Sequence, residues 1–252
     1  MPIYEEFANL YANGPYPTYS RRMADLLPAT LRTLNAQPTM ILDIACGEGT
    51  FAFAMARQGL EVTGLDMSPQ MLDIARRRAD EAGPSVRFVQ GDMRSLSFED
   101  EFDLVTCWYD SLNYLLHLRE LEETFSGVLR ALKHGGLFIF DMNTICGLAV
   151  MWRSHPFFVA QDTAGFFDAH INTYDFETNV ATKQVVGFIN QGAAWIRIDE
   201  EHKERGYSLD EIRTCLGNAG LKEVACWGSL HEMTAPGPET GRVWFAARRE
   251  TT

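Results

Sequence analysis

The sequence predicts an α/β fold in which a doubly wound, mostly parallel sheet of seven strands carries helices on both faces. A strand, a turn with two glycines and a helix follow one another in residues 39–57. Strand-like and helix-like patterns then alternate as far as residue 143, which is typical of βαβ units. Two further strand patterns, at about 222–228 and 242–249, bring the number of strands to seven.

Length and composition predict one folded domain spanning residues 1–252. The chain has 252 residues, of which 46% are hydrophobic and 22% charged, so it can bury one sizeable core. Its net charge is −12. Because nucleic-acid binding depends on Lys and Arg that neutralise phosphates, we expect no nucleic-acid partner.

The chain shows no sign of export or of a membrane span. Residues 1–6 lack a basic stretch followed by an apolar one, and no apolar run approaches the length that crosses a bilayer. The five cysteines show no C-x-x-C spacing and the six histidines never pair at ligand spacing, so we expect neither disulfides nor a metal site. A cytoplasmic protein is predicted.

The first segment, residues 1–36, predicts a helical cap. Its first helix places aromatic and apolar residues at helical spacing at Tyr4, Phe7, Leu10 and Tyr11. A second helix is predicted from about residue 19 to 34. Either these aromatics simply pack on the domain, or the cap closes over a bound cofactor and directs Tyr11, Tyr16 and Tyr19 towards the substrate.

The first strand and its turn predict a ligand site, and two ligands fit the pattern. Residues 47–52 match the dinucleotide fingerprint G-x-G-x-x-A, in which glycines let the backbone approach a pyrophosphate at a helix N-terminus. Asp43, four residues before Gly47, would repel a pyrophosphate. It would suit a ligand that carries an ammonium or sulfonium group.

Two more acids follow the next strands. The second strand, 60–66, ends in Asp66 and is followed by Met67; this acid is placed to accept both hydroxyls of a nucleotide ribose, whichever cofactor is bound. The third strand, 86–90, runs into Gly91, Asp92 and Met93. Acids after three successive strands indicate one cofactor site.

The fourth strand, 102–108, predicts the substrate side of the site. It runs into a polar, aromatic segment, 109–115, and in an open α/β sheet ligands lie beyond the carboxyl ends of the strands. A helix closed by Lys133, His134 and Gly135 and a fifth strand, 137–143, are expected next.

The pattern changes after residue 143. Alternating segments such as 171–176 and 183–189 predict antiparallel strands, so residues 144–206 are interpreted as a β-rich insertion for substrate binding. A capping box from Ser208 to Glu211 then opens the last helix, which is expected to end at Gly220.

The residues Asp43-Ile44-Ala45-Cys46-Gly47-Glu48-Gly49 resemble motif I of the class I S-adenosylmethionine-dependent methyltransferases, with Ala45 in place of the first glycine. The resemblance spans about 39–143 and 207–249 and implies a Rossmann-like methyltransferase fold. It is strongest to small-molecule N-methyltransferases such as the amino-sugar N,N-dimethyltransferases, through Gly91-Asp92-Met93-Arg94 and Glu200-Glu201-His202. Those enzymes often have a histidine where this chain has Tyr114, which speaks against an amino sugar as acceptor.

The resemblance implies S-adenosylmethionine as cofactor and S-adenosylhomocysteine as product. Asp43 and the backbone of residues 45–47 would face the amino-acid end of the cofactor, Asp66 the ribose, Asp92 and Met93 the adenine, and Trp108 the sulfonium. The expected cofactor-binding residues are Tyr11, Tyr19, Asp43, Ala45, Cys46, Gly47, Gly49, Asp66, Met67, Asp92, Met93 and Trp108. The catalytic candidates are Tyr16, Tyr109, Asp110 and Tyr114, for each of which a packed aromatic or a capping acid is the alternative.

The function predicted from these residues is methylation of a small molecule, at an amine nitrogen or else at an oxygen. An amine must lose a proton as it attacks, and a tyrosine, an acid or water could take it. The alternatives are an NAD-dependent oxidoreductase and a non-catalytic S-adenosylmethionine-binding module. We expect a small-molecule acceptor as the partner and a monomer or homodimer.

Overall fold

The computed structural model describes residues 3–81 and 83–251. The strands are β1 (Met40–Ile44), β2 (Glu61–Asp66), β3 (Arg87–Gln90), β4 (Phe102–Cys107), β5 (Leu132–Asn143), β6 (Phe157–Asp162), β7 (Phe166–Asp175), β8 (Val180–Asn190), β9 (Trp195–Arg205), β10 (Leu221–Trp227) and β11 (Arg242–Arg249). The α-helices are α1 (Ala8–Asn13), α2 (Pro17–Thr33), α3 (Thr50–Arg57), α4 (Pro69–Asp80), α5 (Leu118–Ala131), α6 (Ile145–Ser154) and α7 (Leu209–Ala219). Short 3-10 turns occupy Met93–Ser95 and Ser111–Tyr114.

The main sheet has seven strands in the order β10-β11-β5-β4-β1-β2-β3. Strands β1 to β5 pair in parallel, whereas β11 runs antiparallel to both β5 and β10. The predicted doubly wound, mostly parallel sheet is confirmed. The strand order reverses at β1, between β4 and β2, which is where ligands bind in folds of this type.

Helices cover both faces of this sheet. On one face α5 and α7 pack on a core that includes Phe125, Phe140 and Phe245, all fully buried. On the other face α2 and α3 contribute Met23, Leu27 and Phe51. Burial of these side chains on the two faces therefore fixes where the carboxyl edge of the strands lies.

The helix caps explain several boundaries. Ser68 accepts a hydrogen bond from the amide of Met71 and Pro69 is the first residue of α4. The predicted capping box of α7 is present, since Ser208 and Glu211 cap each other's amides, and Gly220 ends that helix with a left-handed φ of 84°.

Two predicted helix boundaries were wrong. Helix α5 ends at Ala131, and the residues expected to close it, 133–135, lie in β5 because Leu132 is fully buried and pairs with Phe102. The first helix begins at Ala8 instead of residue 4. Tyr4 has a left-handed φ of 57°, and its amide donates to Glu200, so the chain enters α1 through a bend.

The segment 144–206, predicted as a β-rich insertion, also contains a helix that was not predicted from the sequence. It begins with helix α6, whose first turn is capped by Thr144. Strands β6 to β9 then form a separate antiparallel sheet in chain order. The predicted segments 171–176 and 183–189 fall on β7 and β8.

One face of this smaller sheet carries buried polar and charged side chains. They are Asp168, His170 and Asn172 on β7 and Glu200, His202 and Glu204 on β9. The cap covers part of this face through Phe7, just before α1, and Leu10 in α1, which pack on Val185 and Ile198. The cap and the insertion therefore meet above the main sheet.

A glycine contact holds α6 against the main sheet. A Cβ built on Gly147 would lie 1.8 Å from the carbonyl oxygen of Gly241, and that backbone cannot yield as a side chain can. We expect Gly147→Ala to lower the free energy of unfolding by about 1–3 kcal/mol, the usual range for overpacking. Urea unfolding followed by circular dichroism measures the change.

Gly217→Ala is the matched control, because Gly217 also lies within a helix, α7, and its Cβ would meet open space. That change should raise the free energy of unfolding by about 0.5–1 kcal/mol, since alanine favours a helix over glycine. Equal stabilisation by both substitutions would contradict the close packing at Gly147.

Candidate active site

A cavity of about 540 Å³ opens at the carboxyl ends of β1, β2 and β4. Most of the residues predicted from the sequence line it. These are Tyr11, Asp43, Ala45, Cys46, Gly47, Asp66, Met67, Asp92, Met93, Trp108, Tyr109 and Tyr114. The size lies within the range of pockets that hold small ligands.

Four predicted residues lie outside the lining. Tyr16 stacks on Tyr11, and Tyr19 stacks on Tyr109 with ring centroids 4.5 Å apart, so both lie behind tyrosines that face the cavity. Asp110 is drawn away by an ion pair with Arg242. Gly49, the fourth, precedes α3 and has a φ of 85°, and a Cβ there would meet the ring of Phe53.

The turn after β1 is shaped by left-handed residues and by Asp66. Ala45 and Gly47 have φ of 55° and 56°. A left-handed alanine costs roughly 1–2 kcal/mol, so other contacts must hold it in place. The amide of Gly47 donates to Asp66 Oδ2 at 2.8 Å, and the amide of Ser68 donates to Asp66 Oδ1 at 2.8 Å. Asp66 thus ties the turn to the end of β2.

Two buried carboxyl groups face the cavity. Asp43 is only 2% exposed and accepts a hydrogen bond from the hydroxyl of Thr106 at 3.0 Å. Burial raises the pKa of Asp43 to about 8. Burial also raises the pKa of Asp66, although the hydrogen bonds from the amides of Ser68 and Gly47 partly offset this by lowering it. A ligand with a positive charge would favour the ionised form of both groups.

Asp92 is held by Arg94, which also lines the cavity. The guanidinium of Arg94 donates to both oxygens of Asp92 and, at 2.6 Å, to Glu120. Hydrogen bonding from Arg94 lowers the pKa of Asp92, despite some burial. Arg94 was not among the predicted site residues, because nothing in the sequence indicates that its side chain turns back on Asp92.

The segment after β4 is held in an unusual conformation. Tyr109 and Asp110 both have left-handed φ, at 59° and 55°. The carboxylate of Asp141, at the same edge of the sheet in β5, accepts a hydrogen bond from the Tyr109 amide at 2.7 Å and from the Asp110 amide at 3.1 Å. Asp141 was missed from the sequence, although it is another acid near the end of a parallel strand.

Arg242 completes this cluster from β11. It pairs with both Asp141 and Asp110, and its guanidinium lies 5.0 Å from the ring centroid of Tyr19. Burial raises the pKa of Asp110 to about 7, and the negative charge of Glu204 adds to the effect. The cluster therefore supports the strained turn that presents Tyr109 to the cavity.

Aromatic side chains form much of the remaining wall. Tyr4 lies at right angles to Tyr11 with centroids 5.4 Å apart, and its hydroxyl is 3.1 Å from that of Tyr114. Trp108 is buried, and its indole nitrogen has no hydrogen-bond partner within residues 3–81 and 83–251. Tyr4 was predicted from the sequence to lie in the cap without a role in the site, and the structure places it in the lining of the cavity.

The insertion reaches the cavity through β9. Glu201 and Lys203 belong to the lining, and Glu200 and His202 lie just behind Tyr4 and Tyr114. The sequence carries no signal of this burial. All five residues of 200–204 are ionisable, so the buried positions 200, 202 and 204 look no different from the exposed positions 201 and 203.

Within the described ranges, no group of three or more His, Cys, Asp or Glu side chains could hold a metal ion. Nor is any helix in that part of the chain long and apolar enough to cross a membrane.

Comparison with known proteins places this site in a family context. Residues 41–136 match the family described as "Methyltransferase domain". The chain is 31% identical to YqeM of Bacillus subtilis (strain 168), a protein named as a methyltransferase, over 99% of this chain and 98% of that protein. A further relative is dTDP-3-amino-3,6-dideoxy-alpha-D-glucopyranose N,N-dimethyltransferase of Streptomyces fradiae, 36% identical over 46% of this chain and 44% of that enzyme.

Comparison with solved structures also identifies methyltransferases. An S-adenosylmethionine-dependent methyltransferase of Clostridium acetobutylicum ATCC 824 superposes with a TM-score of 0.83 and 26% identity. The match covers 99% of this chain and 100% of that one, so it includes the cap and the insertion. The predicted similarity to methyltransferases, with an amino-sugar N,N-dimethyltransferase among the relatives, is confirmed.

Proposed function

This chain belongs to the S-adenosylmethionine-dependent methyltransferases, and we propose that it methylates a small molecule at an amine nitrogen. Membership of this enzyme family excludes the NAD-dependent oxidoreductase that the glycine pattern left open. The reaction class and the cofactor follow from the family. The acceptor and the atom that receives the methyl group are our proposal.

The residues of the cavity fit the cofactor. Asp43 and Asp66 offer two carboxyl groups for an ammonium group and for ribose hydroxyls, and the buried indole nitrogen of Trp108 is free to donate a hydrogen bond. The turn at 45–47 brings backbone close to the cavity. When bound, S-adenosylmethionine supplies a methyl group on a positively charged sulfur, so the protein need only align and deprotonate the acceptor.

If Asp43 binds the ammonium group of the cofactor, ligand affinity should depend on pH. The pKa of Asp43 is raised to about 8, so this group must lose its proton to bind a cation. We expect the affinity for S-adenosylhomocysteine to fall by up to about tenfold per pH unit as the pH drops below that pKa. Calorimetric titrations across this range, in buffers of different ionisation enthalpy, measure both the slope and the proton released.

Asp43→Asn is the test variant, because it keeps the hydrogen bond to Thr106 within reach and removes the titrating group. It should bind S-adenosylhomocysteine more weakly than the wild type at pH 8, with a flatter pH dependence. The same steep slope in the variant would assign the pH dependence to another group, and Asp43 would lose its predicted role.

The wall of the cavity beyond Trp108 is the observation that carries the amine proposal. It includes the rings of Tyr4, Tyr109 and Tyr114, whereas Glu201 at the edge is already paired with Lys203 at 3.0 Å. Aromatic faces favour a protonated amine over a neutral hydroxyl. A cavity of about 540 Å³ that also has to hold the cofactor supports a small acceptor.

The experiment is a methyl-transfer assay with tritiated S-adenosylmethionine. The acceptors are a panel of small primary and secondary amines with matched alcohols and phenols, and parallel reactions contain total RNA and denatured protein. We expect label in small amines alone. Label that enters RNA or protein would refute a small-molecule acceptor, and label confined to phenols or alcohols would refute the amine.

A further inference from the structure

Tyr114 is the cavity end of a line of polar groups that leads into the insertion. Its hydroxyl lies within hydrogen-bond distance, 3.0 Å, of Nδ1 of His202. Nε2 of the same imidazole lies 3.0 Å from Oε1 of Glu200, close enough for an ion pair but outside hydrogen-bond geometry, so a small rotation of the ring must complete this link. His202 and Glu200 are 1% and 5% exposed, whereas Tyr114 lines the cavity, so the line has one end at the ligand and the other in the protein interior.

The geometry of Glu200 fixes the orientation of this line. Its two oxygens accept hydrogen bonds from the amides of Tyr4 and Phe7, the latter at 3.1 Å. Despite burial, the pKa of Glu200 is lowered, through His202 and these amides, so the group is a carboxylate at neutral pH. A carboxylate at Nε2 favours the tautomer with its proton on Nε2, which leaves Nδ1 as an acceptor for the hydroxyl of Tyr114.

Several ionisable groups face His202. Glu200 and Glu204 flank it on β9, Lys183 lies opposite on β8, His170 lies on β7, and Tyr4 and Tyr114 face it from the cap and the segment after β4. Burial lowers the pKa of His202, and Lys183 adds to this, whereas Glu200 opposes it. The imidazole is therefore neutral at neutral pH and can accept a proton.

We propose that Tyr114, His202 and Glu200 form a relay that removes the proton of the methyl acceptor. Tyr114 is the catalytic residue, because its side chain lines the cavity. His202 and Glu200 are positioning residues that act through it. The inference rests on the proposed function and adds to it the destination of the proton.

The proton balance is complete without any further reactant. The bound ammonium group first gives a proton to the oxygen of Tyr114 as the hydroxyl proton of Tyr114 moves to Nδ1 of His202, which leaves a lone pair on the nitrogen. The neutral amine then forms its bond to the methyl carbon, the carbon–sulfur bond breaks with its electron pair left on sulfur, and the product leaves as the methylated ammonium. The charge of the resulting imidazolium is balanced by Glu200. The relay returns to its starting state when the proton leaves to water after product release.

A tyrosine alone could not do this work. Burial raises the pKa of Tyr114 well above its ordinary value, so its phenolate is not populated near pH 7. Tyr114 gives its hydroxyl proton to His202 at the same time as it takes the proton of the acceptor. Because both protons move together, no phenolate forms. This is the general-base arrangement in which a carboxylate orients a histidine and the histidine activates a hydroxyl.

The first arm of the test requires no acceptor. Nitrogen-15 NMR of the wild-type protein with S-adenosylhomocysteine, at pH 7.5, reads the protonation of each nitrogen of His202. The relay requires a neutral ring with a proton on Nε2 and a bare, hydrogen-bonded Nδ1, and Tyr114→Phe should shift the Nδ1 signal towards that of a free imidazole nitrogen. A proton on Nδ1, or a charged ring, would overturn the proposal.

The second arm uses the amine of the panel that is methylated fastest. We expect Tyr114→Phe and His202→Gln each to lower kcat by a factor of about 10²–10⁴, the usual worth of general-base catalysis. The double variant should be no slower than the worse single variant, because the two residues act as one unit. If the factors by which the two single substitutions lower kcat multiply in the double variant, the two residues have separate structural roles.

The pH dependence separates the relay from a packing role. The ratio of kcat/KM for the wild type to that for His202→Gln cancels the ionisation of the acceptor, and it should fall as the pH drops through the pKa of His202. A constant ratio would overturn the relay. The exposed His231 provides the matched control, and His231→Gln should leave kcat and the pH profile unchanged.

The two proposals fail in different ways. If no amine in the panel is methylated, the proposed function fails, and the NMR arm still decides the state of His202. If an amine is methylated but the variants keep the wild-type kcat, the proposed function stands and the relay is wrong. Should His202→Gln not fold, Tyr114→Phe carries the test, since it removes one oxygen and keeps the packed ring.

Discussion

Arg242→Ala should lower the free energy of unfolding by about 3–5 kcal/mol, which is the usual cost of removing one partner from a buried ion pair. Arg242 is the cation between two buried carboxyl groups, those of Asp110 and Asp141. Asp141 also accepts both amides of the left-handed turn at Tyr109 and Asp110. Loss of the Arg242 guanidinium would therefore leave the carboxyl groups of Asp110 and Asp141 without a counter-charge, directly under the substrate side of the cavity.

The same substitution should change how stability depends on pH. Without the guanidinium, the pKa values of both carboxyl groups in the folded state rise further, while their unfolded values stay near 4. Stability from a group with a raised folded pKa is present below the unfolded pKa and is lost as the pH rises through the folded pKa. We therefore expect the destabilisation to be smallest near pH 4 and to grow towards neutral pH.

Urea unfolding at several pH values measures both effects. Arg119→Ala is the control, because Arg119 forms an ion pair with Glu123 on the surface of α5 and its side chain is 87% exposed. Exposed pairs contribute about 1 kcal/mol at most. If Arg242→Ala were no more destabilising than Arg119→Ala, the buried cluster would not be the support of the turn.

Asp66→Ala should weaken binding of S-adenosylhomocysteine by about 1.5–3 kcal/mol, or roughly 10- to 150-fold. The carboxylate is predicted to accept hydrogen bonds from the ribose, and it also holds the amide of Gly47 at 2.8 Å. The substitution removes a ligand contact and loosens the turn that shapes the site, so both effects reduce the affinity.

Calorimetric titration measures this change, with Asp73→Ala as the control. Asp73 lies on α4 with its side chain 66% exposed, paired only with Arg76 in the described part of the chain, so its removal should leave the affinity unchanged. Wild-type affinity in a folded Asp66→Ala protein would contradict the assignment of Asp66 to the ribose.

The cofactor side of the site could be predicted from the sequence because parallel strands bring their carboxyl ends to one edge. Asp43, Asp66 and Asp92 each lie at or just beyond the carboxyl end of a recognisable strand, and the order of strands need not be known for them to converge. All three line one cavity. Local patterns suffice where the fold itself places successive residues side by side.

The acceptor side could not be predicted in this way. His202 lies 88 residues from Tyr114, and Glu200 lies 196 residues from the amide of Tyr4. These contacts depend on how the insertion folds back over the cap, and no periodicity in either segment encodes that. All five residues of 200–204 are ionisable, so the sequence does not distinguish the buried face of β9 from the exposed one.

Arg242 and Asp141 were missed for a related reason. An arginine near the end of a closing strand has an ordinary solvated interpretation, and only the antiparallel pairing of β11 with β5 brings it to Asp141 and the turn. The end of α5 was misjudged because Lys133, His134 and Gly135 are typical of a helix terminus. The burial of Leu132 in the strand outweighed that local preference.

The position of the transferred methyl group tests the central claim most directly. The enzyme would be incubated with S-adenosylmethionine labelled with carbon-13 in its methyl group and with the panel of small amines, alcohols and phenols. Proton–carbon correlation spectra distinguish N-methyl from O-methyl products. We predict new N-methyl signals from small amines that disappear without enzyme. Signals from O-methyl groups alone would contradict the account and move the acceptor to a hydroxyl group.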